Sequence, residues 1–465
     1  MRIHWHRRDL RAADNRALAA ATDDGPVLPA FVFDPDVLQY ASPPRTKFLL
    51  EALDSLQRFY RAHGSDLLVA EGDPTEELPA LAAEHGAEAV FWNHDYSGLA
   101  QERDERVREA LDDAGIEYTE FHDALHHEPG TITTNDGDPY SVFSYFGDKW
   151  LDREKAEPYP VPDGDALADI EGEELPTIEE LDFEEPAANV PKAGTEAARE
   201  RLDTFCADRI FEYDEGREYP ARAGTSRLSQ DRNYGTIGVR EVSERVGEAL
   251  ADADEAEREA VEAYRRELAF GEFFTHVLFY NPEVVTENHK DYENPIEWRE
   301  DDDELQAWKE GMTGYPIIDA GMRQLRAEAY MHNRVRMAVA SFLTKDLMLD
   351  WRAGYAHFRE RLVDHDTAND NGNWQWAAST GTDAQPYFRV FNPMTQGEKY
   401  DPDAEYIETY IPELAEADPD TIHSWNELSD DEREEVAPDY PAPICDHSER
   451  REEAIEMFER ARGED

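Results

Sequence analysis

The chain has 465 residues, with 46 Lys and Arg against 107 Asp and Glu, and so a net charge of −61. Nine Trp, 21 Tyr, 20 Phe and 40% hydrophobic content exclude whole-chain disorder, and the length allows roughly two or three domains, each with its own core. An acidic balance of this size also excludes a protein that grips nucleic acid by bulk electrostatics; it reads as a surface adapted to molar salt, where counterions screen the self-repulsion.

Residues 1–125 alternate short apolar runs with helical patterns. IHWH, PVLPAFVFD, DLLVA and AEAVFWN read as buried strands, and 3.6-residue periodicity predicts helices near 14–22, 45–63, 75–85 and 99–114. That alternation means βαβ units, hence a doubly wound parallel-sheet α/β domain over 1–125 with helices on both faces. No G-x-G-x-x-G follows the first strand, so the standard dinucleotide loop is absent. The N-terminus, MRIHWHRRDL, has no apolar segment, and no run of 18 apolar residues occurs. A soluble, cytoplasmic protein without membrane contact is expected.

Residues 126–194 read as an interdomain linker. Within it, 161–190 hold eleven Asp or Glu, no Lys or Arg, and prolines at 162, 176 and 186, the composition of an extended segment wrapped over a surface. His122, His126 and His127 in HDALHHEPG form the only dense His group. Metal binding would need ligands converging from a fixed scaffold, so the segment is read as a domain-edge loop and no metal site is expected. Cys206 and Cys445 are the only cysteines, which excludes a disulfide framework.

After 195 strand signals nearly vanish and helical patterns follow one another, which makes 195–465 an all-α C-terminal domain. Residues 320–400 hold ten Lys or Arg (323, 326, 334, 336, 345, 352, 359, 361, 389, 399) and nine Asp or Glu. So neutral a stretch in so acidic a chain is either buried or faces an anionic partner, and the functional expectation is the partner.

Three segments carry chemistry: WHRRDLRAADNRAL at 5–18, GTSRLSQDRNYGTIGVR at 224–240, and the block from Trp308 to Gly354 that continues through DHDTANDNGNWQWAASTGTDAQPYFRVFNPMTQGEKYDP at 364–402. In MHNRVRM, a helix puts Asn333 and Met337 on one face and points Arg334 and Arg336 about 200° apart. Such a helix offers an amide and a thioether to one cavity and an arginine to another partner. In NWQW, Trp374 and Trp376 face nearly opposite ways, so one can sit inside while the other stacks on a base. GTSRLS supplies hydroxyls and backbone amides able to hold a pyrophosphate ahead of a helix, although a TS pair alone is only a helix cap.

Together these segments resemble the DNA photolyase/cryptochrome family over essentially the whole chain, most closely the class I cyclobutane pyrimidine dimer photolyases. The resemblance implies one FAD per chain in the C-terminal domain, reduced in the active state, and light-driven repair of UV-damaged DNA by a monomer with no obligatory protein partner. It places Tyr213, Thr225, Ser226, Arg227, Leu228 and Ser229 at the FAD phosphates. It places Arg336, Asp364, His365, Asp366 and Asp370 towards the flavin, with Arg336 paired to Asp364. Trp374, Trp351 and Trp298 correspond to a photoreduction chain. Arg217, Glu267, Phe270, Asn333, Arg334, Met337, Trp376 and Gln396 correspond to positions at the DNA or the dimer, and Glu267 and Asp370 count among the catalytic set. MHNR supplies only His332, where relatives acting on (6-4) products carry paired histidines, so the cyclobutane dimer is the expected lesion.

Three departures matter. Asp370 stands at the flavin N5 position, where photolyases of this class usually carry Asn and plant cryptochromes carry Asp. This keeps a cryptochrome-like blue-light photoreceptor as the alternative. Phe270 stands where many relatives have Trp, with less area to stack on the dimer. In GLAQERD, Leu99 and Ala100 replace the Asn-Glu pair of relatives that use methenyltetrahydrofolate, which favours an 8-hydroxy-deazaflavin antenna, or none.

Overall fold

The computed structural model describes residues 1–23 and 25–464. Five parallel strands, β1 (Arg2–His6), β2 (Val27–Phe33), β3 (Leu68–Glu71), β4 (Ala89–Asn93) and β5 (Glu117–Phe121), form one sheet in the order β3-β2-β1-β4-β5. The central strands β1, β2 and β4 are buried almost throughout, because helices cover both faces and leave no reason for polar alternation. The register pairs Ile3 with Leu28 on one side and with Val90 on the other. These residues, with Trp5, Trp92 and Leu111, make the core of this unit.

DLLVA differs from the expectation. It forms a strand, but a half-buried one, since β3 is an edge with a neighbour on one side only. The opposite edge, β5, was not legible: EYTEF alternates with polar residues and carries no apolar run. The connecting helices Arg16–Thr22, Pro43–Ala62, Pro74–His85 and Gly98–Ala114 lie where periodicity placed them. Asn15, Asp73 and Ser97 cap three of their N-termini, and Gly86 and Gly115 close two C-termini in the left-handed region that glycine adopts without strain.

By contacts the chain forms two units. The first comprises Met1–Pro186, Val190–Phe211 and Ser226–Pro282, so the helices Thr195–Ala207 and Glu257–Tyr280 belong with the sheet. The acidic segment is largely extended, with short turns at Gly164–Ala166 and at 178–182, and is stitched to this unit by Ala168 N–H to Val27 O at 2.8 Å and by Gln57 Nε2 to Glu173 O at 2.9 Å. The second unit comprises Ala187–Asn189, Glu212–Thr225 and Glu283–Asp465. Its regular elements among the described residues are helical, packed around Trp308, Ile318, Val339, Phe342, Trp351, Trp374 and Trp425.

Burial accounts for part of the near-neutral stretch. Lys345 is fully buried, donating to Ser379 Oγ at 2.8 Å with its ammonium position 3.7 Å from the Phe458 ring centre. Arg323 forks onto Glu413 at 2.8 and 2.9 Å. Arg326, Arg361, Arg389 and Lys399 are exposed.

Candidate functional site

The first motif is structural. Arg7, Asp9, Arg11, Asp14 and Asn15 are all buried at the end of β1. Asp9 accepts from Arg7 N at 2.7 Å, Asn93 Nδ2 at 2.6 Å and Asn15 Nδ2 at 3.0 Å, while Arg7 donates to Asp104 at 2.6 Å. Arg240, from the second motif, pairs with both Asp14 and Asp123. Buried charges survive because each has its partner. His4, His6 and Asp9 bring ligand atoms within 4.8 Å of one another, as do His94, Asp104 and Glu120. In the first set, however, His6 Nε2 is already taken by the Tyr60 hydroxyl at 2.7 Å. His122, His126 and His127 turn to separate partners: His122 stacks on His94, His126 meets Ser243 Oγ at 2.7 Å, and the His127 carbonyl accepts from His276 at 2.9 Å. Their loop is pinned by Glu272, which accepts from the backbone N–H of His126 at 2.6 Å and of His127 at 3.4 Å. Burial pushes the Glu272 carboxyl up to about 7 despite those donors.

In the second unit the helix Asn333–Ser341 begins where the His332 ring accepts from Arg334 N. Its two arginines part as helical geometry requires. Arg334 pairs with Glu218 and lies 4.3 Å over the Tyr400 ring. Arg336 donates to both oxygens of Asp364, at 2.8 and 3.0 Å, and to Met331 O at 2.8 Å. Burial opposes the Arg336 charge, yet Asp364 and Asp370 hold it above its ordinary value. Asn333 is exposed and Met337 half-buried, on the same face.

The segment 364–366 leads into the helix Thr367–Ala377, which starts at Asp366. That carboxylate accepts from Asn369 N at 2.9 Å and Nδ2 at 2.8 Å, so it serves as the helix cap. Asp364, His365 and Asp370 are all nearly buried. His365 Nδ1 lies 2.6 Å from Asp370 Oδ2, and Arg336 lies 3.8 Å from Asp370 Oδ1. One arginine thus serves two carboxylates, and an imidazole touches the second. Asn371 and Gln375, buried amides with no advance signal, fix this helix by donating to Val284 O at 2.8 and 2.7 Å.

Trp374 is buried and Trp376 half-buried, the division that their spacing predicted. Room for Trp374 is made by Gly354, one turn beyond Trp351 on the helix Trp351–Arg361: an added Cβ would overlap Cη2 of the ring. Trp351 is fully buried, with its indole N–H donating to Asn288 at 3.0 Å. Trp298 is half-buried, 5.9 Å edge-on from Phe458. Trp308, which opens the third motif, has its ring centre 6.1 Å from that of Trp374 and was not singled out from sequence.

Elsewhere in this unit Tyr213 is buried, with Arg217 lying 5.5 Å over its ring. Gly216 and Gly224 meet so closely that a Cβ on Gly224 would run into the Gly216 carbonyl. This contact returns the chain to half-buried Thr225 after the 217–223 excursion. Gln396 is half-buried on the helix Pro393–Tyr400. In the first unit, half-buried Ser226, exposed Arg227, buried Leu228 and exposed Ser229 lead into the helix Ser229–Tyr234, which has no side-chain cap. Glu267 and Phe270 are half-buried on the helix Glu257–Tyr280. The Phe270 ring centre lies 3.9 Å from that of Phe143, so one face already has an aromatic partner.

A parallel sheet without a dinucleotide loop is thus followed by a helical unit with buried Trp and arginine-bound carboxylates. Residues 2–163 match the family model described as DNA photolyase, and residues 264–460 match that described as the FAD binding domain of DNA photolyase. The chain belongs to the DNA photolyase/cryptochrome family. It is 60% identical to a deoxyribodipyrimidine photo-lyase of Halobacterium salinarum, over 100% of both chains. A bacterial class III photolyase from Agrobacterium tumefaciens superposes with a TM-score of 0.91 at 35% identity, over 99% of this chain and 98% of that one. A cryptochrome from Synechocystis superposes with a TM-score of 0.90 at 26% identity, over 98% of both, so the fold by itself does not separate repair from signalling.

Proposed function

We propose that this protein is a light-driven lyase that splits cyclobutane pyrimidine dimers in UV-damaged DNA with reduced FAD. The observation that carries the reading is the sharing of one helix by two sets of side chains. Arg336 turns inward to Asp364 and Asp370, while Asn333 and Met337 turn out on another face. A flavin-facing cluster and a lesion-facing surface on one rigid element hold donor and acceptor in fixed relation. The 60% identical photo-lyase supports the same activity.

The donor set fits FAD. Thr225, Ser226 and the backbone of Arg227–Ser229 offer hydroxyls and N–H groups to the phosphates, and Tyr213 is assigned to the same group by the family resemblance. Asp364, His365 and Asp370 offer acceptors and a ring nitrogen to the polar edge of the isoalloxazine. When bound and excited, the reduced flavin supplies one electron to the dimer and takes it back after ring opening, with no net redox change.

The chain's own residues position and exclude water. We assign Asn333, Met337 and Trp376 to contact with a dimer flipped from the duplex, and by the family resemblance Glu267 and Phe270 to the damaged bases. Exposed Phe388, Arg389 and Lys399, with Gln396, meet the strand near the lesion, and Arg217 and Arg334 guide its backbone. Trp374 and Trp351 are buried and Trp298 half-buried, and the three would relay an electron from an outside reductant to an oxidised cofactor.

The functional division is placed at 1–125 for antenna binding, 126–194 for the linker and 195–465 for catalysis. Ala100 is buried and has no carboxylate to offer a folate, which favours an 8-hydroxy-deazaflavin antenna. Among the described residues no helix is long and apolar enough to cross a membrane; a cytoplasmic monomer is part of the proposed reading. Repair of a thymine-dimer oligonucleotide by the reduced protein under blue light in molar KCl, with a dark control, tests the reading. Light-dependent loss of dimer is expected. Intact dimer with bound, photoreducible flavin would overturn it in favour of a photoreceptor built on Asp370.

A further inference from the structure

The proposed function assigns Arg217 and Arg334 to a DNA backbone, and the role of Glu218 described below depends on that reading. Both arginines already face an anion of the chain itself. Arg334 Nη2 donates to Glu218 Oε2, and Arg217 Nε lies 3.7 Å from Glu218 Oε1. A third cation shares their surroundings: Lys399 Nζ meets the Tyr400 hydroxyl at 3.0 Å, and the Arg334 guanidinium lies 4.3 Å from the centre of the Tyr400 ring. Glu215, one turn before Glu218, pairs instead with Arg222 at 3.3 Å. In a chain of net charge −61, so many cations about one carboxylate call for an anion.

The fit of Glu218 is incomplete. It takes the Nη2 donor of Arg334, while Nη1 is left with the Met337 thioether at 3.9 Å, a weak acceptor. The buried Nε of Arg334 has no hydrogen-bond partner among the described residues. Arg199, by contrast, holds Glu241 with Nε and Nη2 on separate oxygens, the full fork of a committed pair. Glu218 also sits in the turn 217–218, where the helix Tyr213–Gly216 has ended, so its side chain can swing out without unwinding an element. The side chains of Arg334, Glu218 and Arg217 are 20%, 27% and 32% exposed, which leaves the cluster open to a strand.

We propose that Glu218 is an internal competitor for a DNA phosphate at Arg334 and Arg217, displaced whenever a strand binds. The exchange makes and breaks no covalent bond: the Arg334–Glu218 hydrogen bond is lost, a phosphate oxygen takes the donor, and Glu218 turns to solvent. Damaged and undamaged strands carry the same phosphates, so the displacement weakens both equally. Undamaged DNA lacks the stacking and hydrogen bonds of a flipped dimer, and its occupancy therefore falls away first. Glu218 thus sets how much undamaged DNA the protein holds, not the ratio by which a dimer is preferred. A carboxylate that merely braced the arginines for DNA would have the opposite effect, since its loss would weaken binding.

The test measures binding by the full FAD-loaded chain in molar KCl to two probes, an undamaged single-stranded oligonucleotide and the same oligonucleotide carrying one thymine dimer. Glu218→Gln keeps the size and an acceptor and removes the charge. It is expected to tighten both probes by one common factor, roughly two- to fivefold, the range of a partly exposed charge pair. Glu215→Gln makes the same charge change one turn away. Charges act over only about 3 Å in molar salt, so this control should leave both affinities as they were. In an Arg334→Gln background most of the gain from Glu218→Gln should disappear. Weaker or unchanged binding in Glu218→Gln, undetectable binding included, overturns the proposal. So does a gain confined to the dimer probe, or an equal gain from Glu215→Gln. A common gain without light-driven repair of the dimer would leave the phosphate site standing and sink the repair reading instead.

Discussion

Gly354→Ala is the sharpest perturbation of the tryptophan array. In an ordinary helix interior this change stabilises by about 0.8–1.0 kcal/mol, because alanine surrenders less backbone entropy. At Gly354 the new methyl would overlap Trp374 Cη2, and would lie 2.5 Å from Trp374 Cζ3 and 2.6 Å from Leu343 Cδ2. Both neighbours are buried core side chains, 2% and 0% exposed, so neither can swing into solvent. Overpacking of this kind costs roughly 1–3 kcal/mol and exceeds the helical gain. The net expectation is destabilisation of up to about 2 kcal/mol, a fall of up to roughly 8 °C in the unfolding midpoint. A matched control is built into the fold. Gly247, exposed within the helix Val239–Asp252, would place its methyl in open space. Gly247→Ala should therefore stabilise by up to about 1 kcal/mol. Calorimetry in molar KCl reads both signs. Flavin photoreduction under steady light reads the shift of Trp374, which should slow in Gly354→Ala alone. If the two variants move stability in the same direction, the packing account of Gly354 is refuted.

Arg336→Leu should strand the Asp364 carboxylate, 5% exposed, without its partner, at a cost of about 3–5 kcal/mol. Bound flavin should wash out on desalting, whereas Arg336→Lys, which keeps the charge and loses the Nε donor to Met331 O, should retain an intermediate fraction by absorbance. Glu272 gives a pH prediction. Its folded-state value is raised to about 7 from 4.5 by burial, so its contribution is fully present below pH 4.5 and is lost as pH rises through 7. Glu272→Gln should flatten that window and gain stability at pH 8 by at most about 3 kcal/mol. A variant curve parallel to the native one between pH 5 and 8 would contradict the assignment. DNA binding should depend weakly on salt. With Arg217, Arg334, Arg389 and Lys399 as the cations at the DNA, the logarithmic slope should be no steeper than about −4, read by titrating a dimer-containing duplex over increasing KCl. A slope steeper than about −5, or equal affinity for undamaged duplex, would count against recognition by shape and stacking.

Local regularities were legible in the chain. Apolar runs gave β1, β2 and β4, because strands covered on both faces need no polar alternation. The 100° step of a helix separated Arg334 from Arg336 and Trp374 from Trp376, and each pair has diverged as that step requires. Composition located the acidic segment, and the family motifs placed Arg336 with Asp364. Periodicity says nothing about edges or about partners far along the chain, and there the tertiary structure decided. β5 carries no apolar run and is a strand only because β4 offers it an open edge. Glu272 looks like any helix-face glutamate until the loop 126–127 delivers two N–H groups to it. His365 and Asp366 read as equivalent neighbours of a flavin. The start of the helix Thr367–Ala377 makes Asp366 a cap and turns His365 onto Asp370, which no spacing rule encodes. Sequence records what each residue prefers over one or two turns of chain; which buried charge meets which partner depends on how separate elements pack, and that is settled only in three dimensions.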